Sequence, residues 1–257
     1  MKHIARKRFG QNFLTDKLVL DDIITAIRPK AGETMVEIGP GLAAMTRLLI
    51  GGLGHMHVVE LDRDLVARLN KQFPPEKLTV HAGDALAFDF AAMPRKDGQK
   101  LRVVGNLPYN ISTPLLFHLA QFTEVVEDQH FMLQKEVVER MVAEPGSKVY
   151  GRLSVMLQWR YHMDLLFIVP PTAFDPPPQV ESAIVRMHPI RQPLACEQAK
   201  LEQVVTQAFS MRRKVVRNSL APLFTEAQLV EAGIDPGLRP EMLSVEQFVL
   251  LANRLGV

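Results

Sequence analysis

The residues that most directly suggest chemistry are Asn106-Leu107-Pro108-Tyr109, which follow a short apolar run at 101–105. The exocyclic nitrogen of adenine is a poor nucleophile because its lone pair is delocalised into the ring. The side-chain oxygen of Asn106 and the carbonyl of Leu107 can each accept one of its N–H groups, which directs the lone pair toward a methyl donor. Pro108 excludes helical dihedral angles at Leu107 and so turns that carbonyl toward a ligand, while Tyr109 can stack on an extruded base. The motif therefore predicts methyl transfer to adenine without a general base; the alternative is an Asn-x-Pro turn that caps a helix.

A glycine-rich loop, Gly39-Pro40-Gly41-Leu42-Ala43-Ala44, lies between the predicted strand 34–38 and a helical segment. Glycines in such a loop allow a tight turn and a close approach of the backbone to a nucleotide. The spacing also fits the G-x-G-x-x-G/A pattern of dinucleotide-binding enzymes, and a plain strand-to-helix turn is a further alternative. The loop alone predicts a nucleotide site without deciding between S-adenosylmethionine and NAD.

Two carboxylates end the next two predicted strands. Glu60 can accept hydrogen bonds from both ribose hydroxyls of an adenine nucleoside, and Asp84 can accept one from the adenine amine. Their neighbours Leu61 and Ala85 are predicted to line the same site. Asp84 taken alone could equally be a helix cap or a solvated charge. Because the carboxyl ends of parallel strands meet at one edge of a sheet, we expect these groups to share one cofactor site.

The elements that position these residues alternate between short apolar runs and segments of helical period. This alternation predicts an α/β fold with a seven-stranded, Rossmann-like sheet of the class I methyltransferase type. The predicted strands are 34–38, 57–61, 78–81, 101–105, 129–133, 165–169 and 183–187. The predicted helices are 17–27, 44–50, 63–72, 113–121, 135–143 and 152–159.

A boundary is predicted near residue 190, where two prolines interrupt the pattern. Residues 1–190 would form the catalytic domain and residues 191–257 a small all-helical domain. In the latter, we expect one continuous helix to place Val205, Phe209, Val216 and Leu220 on one face. The same helix is predicted to carry a basic cluster that consists of Arg212, Arg213, Lys214 and Arg217. This cluster is predicted to bind RNA; the alternative is that it is an ordinary solvated surface.

Composition narrows the class of protein. The 257 residues carry 30 Lys and Arg against 28 Asp and Glu, so the chain as a whole is nearly neutral. Its basic charge is concentrated in two local clusters, one at residues 212–217 and one at residues 2–8. Cys196 is the only cysteine, which excludes an internal disulfide and a cysteine-rich metal site. The amino terminus lacks a secretory pattern, and no apolar run reaches about 18 residues. We expect a cytoplasmic protein that contacts no membrane and needs no metal.

Several motifs together resemble the small-subunit (16S) rRNA adenine N6,N6-dimethyltransferase family, from about Arg6 to a final helix predicted to start at Ser244 and to run to Leu255. These motifs are residues 8–14 (RFGQNFL), 37–42 (EIGPGL), 106–112 (NLPYNIS), 132–137 (MLQKEV), 174–182 (FDPPPQVES), 208–214 (AFSMRRK) and 217–220 (RNSL). The sequence departs from the family at Ala43, where many relatives have glycine, and this stiffens the loop.

The resemblance implies a fold, a reaction and a set of contacts. It implies that S-adenosylmethionine contacts Gln11, Asn12, Leu14, Gly39, Gly41, Glu60, Asp84 and Asn106. It also implies that Phe174 faces Tyr109 across the target adenine, although Phe174 could equally be a packing residue. The implied substrate is a pair of adjacent adenines in the 3′-terminal hairpin loop of 16S rRNA, methylated within the small ribosomal subunit by a monomeric enzyme.

Three alternatives remain at this point. A large-subunit rRNA adenine methyltransferase would share the catalytic motif and differ in substrate. A dehydrogenase would use the glycine loop but has no use for residues 106–109. A ribosome-assembly factor could bind the immature particle as its main role, with methylation secondary.

Overall fold

The computed structural model describes residues 12–96, 98–211 and 213–256. Within them the chain forms the α/β fold that the sequence predicts. The strands are β1 (Phe13–Leu14), β2 (Thr34–Ile38), β3 (Met56–Glu60), β4 (Leu78–Ala82), β5 (Leu101–Asn106), β6 (Val126–Gln134), β7 (Tyr161–Val169), β8 (Phe174–Asp175) and β9 (Ser182–Pro189). All seven predicted strands are present, and the short pair β1 and β8 was not predicted.

Seven of these strands form one mostly parallel sheet in the order β4-β3-β2-β5-β6-β9-β7. The pairs from β4 through β6 are parallel, whereas β9 runs antiparallel to β6, with Gln134 opposite Ser182. The two-residue strands β1 and β8 pair antiparallel to each other, with Leu14 opposite Phe174. Since β2, β3, β4 and β5 are parallel, the segments that follow them emerge at one edge of the sheet.

The helices follow the predicted pattern, with small shifts at their ends. They are α1 (Lys17–Ile27), α2 (Ala44–Leu53), α3 (Arg63–Gln72), α4 (Ser112–Leu119), α5 (Lys135–Met141), α6 (Arg152–Gln158), α7 (Gln198–Ser210), α8 (Val216–Ser219), α9 (Glu226–Glu231) and α10 (Val245–Arg254). Asp16 caps α1 by accepting hydrogen bonds from the backbone N–H groups of Leu18 and Val19 at 2.9 and 3.2 Å.

A hydrophobic cluster packs α1 and α2 onto one face of the sheet. Ile23 and Leu49 from these helices join Met35 and Val104 from the strands, all of them buried. Because side chains alternate along a strand, Glu37 lies on the same face as Met35 and Asn106 on the same face as Val104. The packing of this face therefore determines where the polar residues of the site lie.

The chain divides into two compact units, and this division differs from the predicted single boundary at residue 190. One unit holds the described residues up to Val138 together with Asp164–Pro189, and the other holds Glu139–Met163 together with the described residues from Ile190 onward. The break at residues 189 and 190 lies where the prolines suggested. The segment 139–163, which we expected in the first domain, belongs to the second unit.

Contacts within the second unit explain this assignment. The backbone N–H of Gly146 donates to the carbonyl of Glu241 at 2.7 Å, and the indole N–H of Trp159 donates to the carbonyl of Leu194 at 2.8 Å. The ring of Tyr150 lies edge-on to that of Phe209, with the centroids 6.4 Å apart. These partners are distant along the chain, so local sequence patterns did not reveal them.

The predicted continuous helix through residues 205–220 is wrong. Helix α7 ends at Ser210, a turn follows, and α8 begins only at Val216. The N–H groups of Val216 and Arg217 donate to the carbonyls of Leu238 and Pro236 at 2.7 and 3.2 Å, which fixes the start of α8 from another part of the chain. Val205, Val216 and Leu220 are nevertheless buried, as expected for the inner side of this unit.

After residue 189 the described chain contains no strand, in agreement with the prediction. Ser244 caps α10, and its hydroxyl accepts from the backbone N–H of Gln247 at 3.3 Å. None of the helices in the described ranges has the length and apolar character needed to cross a membrane.

Candidate active site

The glycine loop follows β2 and leads into α2. Gly39, Gly41 and Ala43 all have left-handed backbone conformations, with φ of 66°, 55° and 65°. The loop is held by hydrogen bonds from the N–H of Gly39 to the carbonyl of Val59 at 2.9 Å and from Ala43 to Pro40 at 2.8 Å. Since a side chain disfavours positive φ, Ala43 carries a strain that glycine would not. This explains in physical terms why glycine suits that position.

Glu60 ends β3 beside this loop and is 7% exposed. Its Oε1 accepts a hydrogen bond from the N–H of Asp62 at 2.9 Å, and the backbone N–H of Gly41 also donates to the carboxylate. Burial raises the pKa of Glu60, while these hydrogen bonds oppose that rise. The carboxylate is thus fixed next to the glycine loop, where a ribose could bind.

Asp84 follows β4 and is exposed. Its Oδ1 accepts a hydrogen bond from the backbone N–H of Leu86 at 2.9 Å, which stabilises a turn over residues 85–87; no helix begins there, so Asp84 is not a helix cap. Asp84 also lines the cavity that opens at this edge of the sheet, so this hydrogen bond and a role in binding adenine are compatible.

Glu37, the second-last residue of β2, lines the cavity and was missed by sequence reasoning. It is 2% exposed, and the hydroxyl of Thr46 donates to its Oε2 at 2.6 Å. Burial raises the pKa of Glu37 to about 7, an effect that the hydrogen bond from Thr46 reduces and the nearby Glu60 increases. A charged residue within an otherwise apolar buried strand was the available signal.

Asn106 is the last residue of β5, and its amide has a defined orientation. Its side-chain Nδ2 donates to the backbone carbonyl of Asn12 at 3.0 Å. Gly105, just before it, passes so close to β2 that a Cβ there would lie 2.7 Å from the carbonyl oxygen of Ile38. The N–H of Leu107 donates to the carbonyl of Met132 at 3.2 Å, which fixes the start of the motif against β6.

Tyr109 is held at both ends. The hydroxyl of Ser112 donates to its backbone carbonyl at 3.1 Å, and its phenolic oxygen lies 2.7 Å from the hydroxyl oxygen of Ser182. Burial raises the pKa of Tyr109, and the hydrogen bond with Ser182 opposes that rise. No local pattern in the sequence indicated the Ser182 contact.

A cavity of about 770 Å³ opens between these elements. It is lined by all nine described residues that were predicted to bind the cofactor, namely Asn12, Leu14, Gly39, Gly41, Glu60, Leu61, Asp84, Ala85 and Asn106. Gln11 lies outside the described residues. Pro108 also lines the cavity, whereas the lining does not include Leu107, Tyr109 or Phe174.

The cavity wall also contains His130 of β6, which sequence reasoning did not single out. It is 4% exposed, and neither ring nitrogen has a hydrogen-bond partner among the described residues. Burial lowers its pKa to about 4, so the ring is neutral at physiological pH.

Phe174 is 4% exposed and belongs to the hydrophobic cluster under α1. Its backbone pairs with Leu14, and the N–H and hydroxyl of Thr15 both donate to the carbonyl of Ala173, at 2.9 and 3.2 Å. The packing role considered for Phe174 is therefore present. Its contact with a target base stays a prediction.

Of the two basic clusters, the one at residues 2–8 lies outside the described ranges. The one at residues 212–217 is described except for Arg212. Arg213 and Lys214 are exposed in the turn after α7, and Arg217 is exposed on α8. A guanidinium nitrogen of Arg217 lies 3.9 Å from a carboxylate oxygen of Glu226. These cations do not share one helical face as predicted, because the helix breaks between them.

Comparison with known proteins identifies the family. The family model for ribosomal RNA adenine dimethylases matches residues 2–256. Ribosomal RNA small subunit methyltransferase A of Herminiimonas arsenicoxydans is 73% identical over 255 residues, covering 99% of this chain and 100% of the relative. The chain belongs to the ribosomal RNA adenine dimethylase family. The corresponding protein of Janthinobacterium sp. (strain Marseille) is 72% identical with the same coverage, so the resemblance seen in the motifs is confirmed.

Solved structures of related proteins support the dimethylase fold. A dimethyladenosine transferase from Plasmodium falciparum aligns with a TM-score of 0.79 and 24% identity, covering 93% of this chain and 95% of that one. The 23S rRNA methyltransferase ErmE aligns with a TM-score of 0.73 and 23% identity, covering 96% of this chain and all of that one. At these identities the likeness concerns the fold alone, and it confirms the predicted Rossmann-like class.

Proposed function

We propose that this adenine dimethylase transfers methyl groups from S-adenosylmethionine to two adjacent adenines in the 3′-terminal hairpin loop of 16S rRNA, in the small ribosomal subunit. The observation that carries the proposal is the position of Asn106, Leu107 and Pro108 at the end of β5, beside the cavity that Glu60 lines. The relatives of more than 70% identity are named as small-subunit rRNA methyltransferases, which supports this substrate.

The cavity suits a cofactor that is a cationic nucleoside. Glu60 would accept hydrogen bonds from the ribose, Asp84 would accept one from the adenine amine, and the backbone at Gly39 and Gly41 would allow close approach. Two buried carboxyl groups with raised pKa, Glu37 and Glu60, lie at this cavity. A positive charge nearby would favour their ionised forms, so the site favours binding of a cation. When bound, S-adenosylmethionine supplies an electrophilic methyl group on a positively charged sulfur.

Asn106 would act on the nucleophile. An amide carries its oxygen and nitrogen on opposite sides, so donation from Nδ2 to the carbonyl of Asn12 leaves Oδ1 turned away from Asn12 to accept a hydrogen bond. Together with the carbonyl of Leu107, it would hold both N–H groups of the adenine amine and direct the lone pair toward the methyl group. Tyr109 would stack on the extruded base, with Phe174 as the second aromatic contact.

No general base is needed in this scheme, because the amine becomes much more acidic once it has gained a methyl group. Positioning of the two reactants then accounts for most of the rate. In the described chain no cluster of three or more His, Cys, Asp or Glu is arranged to hold a metal ion, and the scheme uses none.

The partner would be 16S rRNA within the small subunit, and the enzyme would act as a monomer in the cytoplasm. The all-helical part after residue 190 would serve as the rRNA-binding domain. Arg213, Lys214 and Arg217 are exposed cations that suit a phosphate backbone, and Arg212 is included in this interface on sequence grounds.

One assay tests the reaction, the cofactor and the substrate together. The protein is incubated with labelled S-adenosylmethionine and unmethylated small subunits, and modified nucleosides are mapped by mass spectrometry. We expect dimethyladenosine at two adjacent positions in the 3′-terminal hairpin loop and none when large subunits replace small ones. Label in the large subunit would support the alternative substrate. Stable binding to small subunits without any methylation would support an assembly factor.

A further inference from the structure

The first residue of β9 contacts the tip of the catalytic tyrosine. The hydroxyl oxygen of Ser182 lies 2.7 Å from the phenolic oxygen of Tyr109, and either group can donate. Ser182 is completely buried, whereas Tyr109 is half-buried. Serine is a small polar residue that needs a partner when buried, and this hydrogen bond supplies one.

Ser182 is a rigid anchor. It lies in the antiparallel ladder opposite Gln134 of β6, and β9 itself lies between β6 and β7 in the sheet. Just before it, the carbonyl of Glu181 accepts a hydrogen bond from the N–H of Lys135 at 3.0 Å, and the two side chains form an ion pair at 2.7 Å. The position of the serine hydroxyl is therefore fixed by the central sheet.

Tyr109, in contrast, lies in the loop between β5 and α4. Its backbone is held by Ser112 and by the turn in which Ile111 donates to Pro108 at 3.2 Å. These bonds fix where the side chain begins but leave rotation about its two side-chain torsions. Stacking on a base requires only the aromatic ring of Tyr109. The hydroxyl, through its hydrogen bond with Ser182, restricts rotation of that ring.

We propose that Ser182 is a positioning residue that holds the ring of Tyr109 in the orientation needed to stack on the target adenine. This inference rests on the proposed function, because it assumes that Tyr109 contacts the base.

The experiment is a double-mutant cycle with Ser182→Ala, Tyr109→Phe and the combined variant. Each single change removes one partner of the hydrogen bond and leaves the tyrosine or phenylalanine ring in place. Steady-state methylation of unmethylated small subunits gives kcat and KM, calorimetry gives cofactor affinity, and thermal unfolding gives stability. Ser154→Ala is the matched control, because Ser154 is also fully buried and its hydroxyl donates to the carbonyl of Arg140. Both of these residues belong to the second unit, whereas Ser182 and Tyr109 belong to the first.

We expect Ser182→Ala and Tyr109→Phe each to lower kcat by about fivefold to tenfold, the size of one hydrogen bond. The double variant should lose no more than either single variant, because both changes remove the same interaction. Cofactor affinity should be unchanged, and Ser182→Thr, which retains a hydroxyl, should recover part of kcat. Ser154→Ala should lower the unfolding temperature with kcat unchanged.

If the loss of kcat in the double variant equals the product of the two single losses, the inference is overturned, because Ser182 then acts independently of the Tyr109 hydroxyl. An unaltered kcat for Ser182→Ala would overturn it as well. If the wild-type protein methylates no adenine, the proposed function fails instead, so the two failures are distinguishable. Tyr109→Phe keeps the inference testable even if Ser182→Ala does not fold, because an unchanged kcat in Tyr109→Phe also contradicts it.

Discussion

The side-chain nitrogen of Asn106 donates a hydrogen bond to the backbone carbonyl of Asn12, 3.0 Å away and 94 residues earlier in the chain. This contact joins the residue just before β1 to the end of β5. It leaves the side-chain oxygen of Asn106 turned away from Asn12, as its proposed role of accepting from the substrate amine requires. Both residues line the same cavity, so the orientation of the Asn106 amide depends on the amino-terminal segment being in place.

Asn106→Ala should lower kcat by on the order of a hundredfold, because one acceptor of the reacting amine is removed. The fold and most of the cofactor affinity should persist, as measured by thermal unfolding and calorimetry. Asn70→Ala, an exposed change on α3, is the matched control and should leave kcat unaltered. Near-normal turnover of Asn106→Ala would disprove the mechanism proposed for this motif.

Glu60→Ala should weaken S-adenosylmethionine binding about tenfold to a hundredfold, because the ribose hydroxyls lose a charged acceptor. Glu60→Gln retains one oxygen acceptor and should give a smaller loss. Calorimetric titration measures both variants, with Glu76→Ala as an exposed control. Unchanged affinity in Glu60→Ala would mean that the carboxylate serves only the loop backbone.

Glu37 should make the stability of the ligand-free protein depend on pH. Burial raises its pKa from 4.5 to about 7 in the folded state, so the folded protein holds this proton more tightly than the unfolded chain. The free energy of unfolding should therefore fall as the pH rises from about 4.5 to about 7, by on the order of 3 kcal/mol in total.

Glu37→Gln should remove this contribution while keeping an oxygen that accepts from Thr46. Urea unfolding at pH 5 and pH 8 measures it: the variant should lose less stability between the two pH values than the wild type does. Glu76→Gln is the control and should behave as the wild type. Equal pH dependence in Glu37→Gln and the wild type would contradict the assignment.

Changing Arg213, Lys214 and Arg217 together to Gln should weaken binding to small subunits and reduce its salt dependence. The slope of log affinity against log salt should fall by roughly 0.7 to 0.9 for each phosphate group that the variant no longer neutralises. Cofactor affinity should be unchanged. The control changes three other exposed cations, Arg68, Lys71 and Lys77, to Gln. Identical slopes for the wild type and the test variant would assign RNA docking to another surface.

The sequence predicted the elements whose signal is local. The buried strands β2 and β5 are apolar runs with glycine or asparagine at their ends, and α1 has a capping Asp16 before a periodic helix. Gly39, Glu60 and Asp84 were predicted to line one cavity because each lies at or just after the carboxyl end of a parallel strand at the same edge of the sheet, and they do line it. Asn12 and Leu14 were predicted from the family resemblance instead. Glu37 showed itself only as a charge inside an apolar run.

What the sequence did not reveal depends on partners far along the chain. Ser182 meets Tyr109 across 73 residues, and α8 begins where the carbonyls of Leu238 and Pro236 accept its first N–H groups. The grouping of 139–163 with the second unit has the same origin. Helical period continued through residues 211–215, so nothing local marked the break.

The pairing of β1 with β8 also constrains the order in which the protein can be completed during its own synthesis. Leu14 pairs with Phe174, and the hydroxyl of Thr15 bonds to the carbonyl of Ala173, 158 residues later. The first strand therefore leaves the ribosome long before its partner exists. Parallel pairs such as β2 and β3 can form earlier, because both strands are translated within the first sixty residues. The pairing that holds this amino-terminal segment of the cavity wall can therefore form only after residue 175 has emerged, late in translation.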